Sequence, residues 1–171
     1  MTPTQRLLAV SIIVAAAPTA MLSFAYYAEH EMGLLPCILC LYQRPPHYAA
    51  AIAGLIALVF VWTQPGLSRA MLALAALALV IGAGIAVFHA GVEWKFWEGL
   101  AECGGTAAPL AMDVNDLAQG MKDAKIVQCD AAAWVFLGLS MAGWNALISM
   151  GLAAVAVWGI IPSPGRKSSF A

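Results

Sequence analysis

"AMLALAALALVIGAGIAVFHAGV", Ala70–Val92, holds no Asp, Glu, Lys or Arg. As a helix rising 1.5 Å per residue, such a run reaches the roughly 20 residues that cross about 30 Å of hydrocarbon. Three further stretches repeat the pattern: Leu7–Ala28, Pro45–Ser68 and Ala131–Gly165. Helices buried in a soluble bundle would keep a polar face, and these have almost none. Over the whole chain 63% of residues are hydrophobic and 10% charged, against about 25% charged in ordinary soluble domains. The reading is an all-α, polytopic membrane four-helix bundle in the lipid bilayer, a single domain over residues 1–171. Its spans are expected at about 7–27, 45–62, 70–89 and 134–161, with a long loop, 90–133, between helices three and four. The formal net charge is −1, and no nucleic-acid partner is expected.

The first stretch follows Arg6 and contains Ala15, Ala16 and Ala17, as a cleaved leader would. It is longer than the 7–15 residues of a leader's apolar core, so it reads as a spanning helix. With four spans the termini share a side with the connector "TQPGLSR", Thr63–Arg69. That side carries Arg6, Arg69, Arg166 and Lys167 and no acid, while all nine acids, Glu29 to Asp130, fall on the other. Basic density therefore puts the termini in the cytoplasm. All four cysteines then face the outer compartment, the periplasm of a bacterium, where disulfides persist.

A connection as long as 90–133 reads as a working loop. In it Val92, Trp94, Phe96 and Trp97 alternate with Glu93, Lys95 and Glu98, the pattern of a segment resting on lipid headgroups. Further on, Val114, Leu117, Ala118 and Met121 recur at helical spacing behind a capping Asp113 or Asn115, which suggests a short horizontal helix.

The chemistry is concentrated in Leu34–His47, "LLPCILCLYQRPPH". Pro36 suits the first position of a helix, which places Cys37 and Cys40 in its first turns, where free amides and the helix dipole favour a thiolate. Arg44 lies on the same face, one turn beyond Cys40, as a cation beside that thiolate. Pro45 and Pro46 either kink this helix or mark its start, and the kink is favoured. The ring closed by C-x-x-C is small and readily exchanged, which points to redox cycling over a structural staple. Cys103 in "AECGGT" and Cys129 in "VQCDA" sit among glycines and polar residues with no sign of burial. A cross-link between them would be exposed and open to another protein's thiolate. The four cysteines lack the second C-x-x-C of a zinc ribbon, and no metal site is expected. His89 at the end of helix three could hydrogen-bond a bound carbonyl, His47 reads as an ordinary interface residue, and His30 as a loop residue.

"PCILCLYQR" after the first span, "FHAGVEWKFW" closing the third, a cysteine at each side of the loop and "CDAAAWVFLGLSMAGW" opening the fourth together resemble the bacterial disulfide bond formation protein B family, DsbB. The resemblance runs in order over essentially the whole chain. It implies a quinone-dependent thiol oxidase of the inner membrane that reoxidises a periplasmic DsbA-like partner. Two disulfides, Cys103–Cys129 and Cys37–Cys40, would relay electrons to the membrane quinone pool, ubiquinone or menaquinone. The partner would attack Cys103, a transient Cys37–Cys129 bond would join the pairs, and Cys40 would be freed beside Arg44 and His89 at the quinone. The family often has an acid just before the arginine; Gln43 stands there in this chain.

Other readings are a vitamin K epoxide reductase-like enzyme, whose C-x-x-C belongs late in its helical core, and a DsbB paralogue serving another thiol partner. From different classes come a haem carrier using His47 and His89, and a scaffold with two structural disulfides.

Overall fold

The computed structural model describes residues 1–100, 103 and 128–161. The expected horizontal helix around Val114–Met121 and the tail with Arg166 and Lys167 lie outside them. Four helices make up almost all of the described chain: α1, Pro3–His30; α2, Ile38–Val59; α3, Pro65–Glu93; and α4, Met141–Ile160. A two-stranded hairpin, β1 Val135–Phe136 and β2 Leu139–Ser140, precedes α4.

Each helix starts where the local chemistry permits. Thr2 caps α1 in a reciprocal capping box with Gln5, and Pro3 and Pro65 open α1 and α3 at positions whose missing N–H costs nothing. The Ser140 hydroxyl accepts from Gly143 N at 3.1 Å to cap α4. α2 departs from expectation. Pro36 is not its first residue but precedes the cap, which is Cys37 itself, whose sulfur accepts from Cys40 N at 3.3 Å. The helix then continues through Pro45 and Pro46, although neither can donate to the carbonyl four residues back.

α3 packs on both α2 and α4, and α1 on α2. The common core is built from Leu7, Val10 and Val14, Ala50, Ala53 and Ala57, Leu72, Ala75 and Leu79, and Leu152 and Ala156. Small residues let the backbones close up, as membrane helices require in the absence of a hydrophobic drive between them. A Cβ on Gly54 would lie 2.7 Å from the Ala15 backbone nitrogen. The outer faces carry Ile52, Leu55, Val59, Leu77, Val80 and Val157, all exposed. Three helices, α1, α3 and α4, are long and apolar enough to cross a membrane. The first half of α2, with Gln43, Arg44, Pro45, Pro46 and His47, is more polar than a lipid span.

Two boundaries are corrected. α3 runs past His89 to Glu93, so Val92 is buried in its last turn and the Glu93 side chain turns inward toward His89, while Trp94, Phe96 and Trp97 are exposed. The expected start of the fourth helix at Trp134 is replaced by the hairpin. Leu137 and Gly138, with φ of 51° and 81°, turn the chain between paired Phe136 and Leu139. Two successive residues with positive φ make the tight turn that matches strand twist, and α4 can begin only after it.

Candidate functional site

The Arg6 guanidinium donates to the Ile161 carbonyl, so α1 begins where α4 ends. The cysteines gather at the opposite end of the bundle. Cys37, Cys103 and Cys129 are buried together with Leu39 and Val92, with Cys40 and Phe88 packed against them. Cys103 and Cys129 are joined by a disulfide and are 8% and 1% exposed, which corrects the expectation of an exposed loop bond. Sequence neighbours did not reveal this burial because α2 and α3 provide it. The segment after α3 is anchored there: Trp97 stacks on Phe88 at 5.8 Å, its Nε1 donates to Phe88 O at 2.8 Å, and Lys95 pairs with Asp130 beside Cys129.

Cys37 and Cys40 are thiols in this structure, not the expected disulfide, with their sulfurs 3.0 Å apart. The two share a proton, and Cys37 is the better acceptor because Cys40 N and His89 Nε2, at 3.5 Å, also face its sulfur. The hydrogen bond with Cys40, opposed by burial and helped by His89, holds the Cys37 thiol well below the ordinary thiol range. In the dithiol the acidic partner is therefore Cys37, at the helix cap, whereas the sequence pointed to Cys40. Arg44 sits 2.5 Å from the Glu29 carboxylate and 4.7 Å above the Tyr26 ring. Its charge is thus balanced from α1, an interaction that spacing within α2 could not reveal.

Beside the dithiol lies a cleft of about 500 Å³. Met21 and Phe24 of α1, Trp134 and Phe136 of the hairpin, and Trp144 and Ile148 of α4 form its apolar walls. Trp134 stacks on Phe136 at 5.6 Å, and Trp144 Nε1 donates to Phe136 O at 2.9 Å, so the hairpin is held as one wall. Cys40, Gln43, Arg44, His47, His89 and Asn145 supply its polar groups.

A family profile described as "Disulfide bond formation protein DsbB" matches residues 6–159. The chain belongs to the DsbB family. It is 30% identical to the disulfide bond formation protein B of Acinetobacter baylyi, over 82% of each chain. It is 34% identical to that of Aromatoleum aromaticum, over 79% of this chain and 80% of the relative, and 33% identical to that of Azoarcus sp., over 81% and 83%. No solved structure matches the chain.

Membership in DsbB makes this a disulfide-forming oxidoreductase in a membrane setting, and all four cysteines lie in or against one buried cluster. In this DsbB chain His47 is buried, and its Nδ1 donates to Gln43 O at 2.8 Å. His89 has both ring nitrogens engaged, Nε2 toward Cys37 and Nδ1 toward Gln43 Nε2 at 3.0 Å. The Cys37, Cys40 and His89 donor atoms lie within 4.8 Å of one another, as metal ligands would. An amide nitrogen facing Nδ1 leaves the proton on Nε2, however, the atom that a metal would need bare.

Proposed function

We propose that the protein is a protein-thiol:quinone oxidoreductase of the bacterial inner membrane that reoxidises a periplasmic DsbA-like disulfide donor. The observation that carries this reading is the gathering of both cysteine pairs in one cluster, with Cys40 at its edge, against an apolar cleft with a few polar groups. A cleft of that size, with aromatic walls and convergent donors, suits a flat apolar ring. A quinone bound there would accept two electrons and two protons. Cys40, Arg44 and His89 are the residues we assign to it.

The electron path we assign runs from the loop pair to the thiols at the cleft, in the order that family membership suggests. The partner's thiolate attacks Cys103, the Cys103–Cys129 bond breaks, and the partner leaves as a disulfide with its two electrons now on the loop pair. Cys129 then attacks Cys37 of the oxidised Cys37–Cys40 pair, and Cys103 displaces it, so the loop bond re-forms and the two electrons and two protons rest on Cys37 and Cys40. While Cys37 is bound to Cys129, Cys40 is the free sulfur on the cleft wall. In the proposed topology the termini are cytoplasmic and the cysteines periplasmic, on the basic density of Arg6, Arg69, Arg166 and Lys167.

The test is oxidation of a reduced DsbA-type protein by the purified enzyme with a short-chain ubiquinone. Each Cys→Ser variant should stop turnover, and Cys40→Ser should still exchange once with the partner through the loop pair. Sustained quinone-coupled oxidation by Cys40→Ser overturns the relay.

A further inference from the structure

Polar side chains inside a bundle facing lipid are costly, and by default they mark function. Behind the dithiol five of them cluster, and four, Ser149, Asn145, Gln43 and His89, are hydrogen-bonded in one string. Gln43 Nε2 lies 3.1 Å from Leu39 O and 3.0 Å from His89 Nδ1. A carbonyl can only accept, so the amide nitrogen must face that side and Gln43 Oε1 must face α4. There it accepts from Asn145 Nδ2. This orientation turns Asn145 Oδ1 toward Ser149, whose hydroxyl donates to it at 3.1 Å. Ser149 Oγ in turn lies 3.4 Å from His47 Nε2. From Ser149 to Cys37 every donor points outward toward the thiols, ending in His89 Nε2–H on the Cys37 sulfur. Such aligned bonds polarise one another.

An amide nitrogen carries two hydrogens. Among the described residues Asn145 Nδ2 has one acceptor, Gln43 Oε1, and Asn145 lies on the cleft wall. We infer that Asn145 uses its second N–H to hold a carbonyl oxygen of the quinone, and that Gln43 is the positioning residue that aims Asn145 and sets the His89 tautomer from one amide. This rests on the quinone reading of the cleft. The string explains why the bundle tolerates Gln43, Asn145 and Ser149 in its interior. It also makes Gln43 the link between the thiols and the ligand.

The full chain in nanodiscs, with ubiquinone-1 carrying 13C at both ring carbonyls, tests it. In wild type one carbonyl stretch should be lowered by the hydrogen bond. In Asn145→Leu and in Asn145→Asp, which keeps the size but presents no N–H, that band should return to its free position. Binding, read as quenching of Trp134 and Trp144 fluorescence, should weaken about tenfold, the loss of one hydrogen bond at about 1.4 kcal/mol. Gln43→Glu should leave Asn145 its acceptor but draw the His89 proton to Nδ1, visible in the 15N shifts of the ring; Gln43→Met should lose the lowered carbonyl band. A lowered band that persists in both Asn145 variants sinks the assignment while leaving the quinone reading intact. An unmoved His89 proton in Gln43→Glu sinks the role given to Gln43. Wild type that binds no ubiquinone-1 removes the quinone reading and the inference with it.

Discussion

At Cys37 three donors converge on one sulfur: the Cys40 amide, the Cys40 thiol and His89 Nε2. With the thiol held below the ordinary range by these donors, the thiolate persists to lower pH than in a free thiol and is lost as pH falls through the lowered midpoint. Removing a donor moves the midpoint up. In a Cys103→Ser, Cys129→Ser background, His89→Ala should therefore shift the thiolate absorbance titration toward the ordinary thiol range; an unchanged midpoint would mean that His89 does not reach the sulfur. Arg44 works on the other side of the pair. Its Glu29 partner and its place over Tyr26 fix the guanidinium at the cleft, so Arg44→Ala should raise KM for quinone or lower turnover while leaving exchange with the thiol partner near wild type. Equal losses in both assays would make Arg44 a structural residue only.

The hairpin before α4 is the element on which the cleft most depends. Gly138 has φ of 81°, and a side chain there is strained whatever space surrounds it. Gly138→Val should cost about 1–3 kcal/mol of local strain and loosen the wall made by Trp134 and Phe136. Quinone binding should weaken while loop-disulfide exchange stays, and intact binding would show that the wall does not need the turn. This element was hidden in the sequence because "WVFLGLSMAGW" is apolar throughout, and a short apolar run cannot be assigned to strand or helix by period. The long helices were legible because composition alone demands them. The C-x-x-C stood out by its spacing, whereas the burial of the loop pair did not, because α2 and α3 provide it. The polar string was missed in the sequence, although a signal for it was there: Gln43 and His47 on α2, and Asn145 and Ser149 on α4, each stand four apart on one helical face. What could not be read was that the two faces meet, because that depends on how α2, α3 and α4 pack.

For the whole molecule, the sidedness of the bundle decides which compartment the proposed relay serves. Gln128 and Gln64 are both exposed and belong to opposite ends of the helices. In a cysteine-free background Gln128→Cys should react with an impermeant maleimide on intact cells, and Gln64→Cys only after the inner membrane is opened; the reverse pattern would invert the proposed topology. The Arg44–Glu29 pair bears on how such a molecule is made. A lone arginine costs on the order of 3 kcal/mol to insert at the centre of a membrane helix, and α2 has little apolar surplus in its first turns to offset a part of that. α1 precedes α2 during synthesis and carries Glu29 at its trailing end, only a short turn away. Inserted together as a hairpin, the two helices would carry charges that neutralise each other. Glu29→Ala should raise the fraction of chains in which α2 fails to integrate, measured by glycosylation-site mapping of nascent chains, and Glu29→Ala with Arg44→Leu should restore integration even though the cleft loses its cation.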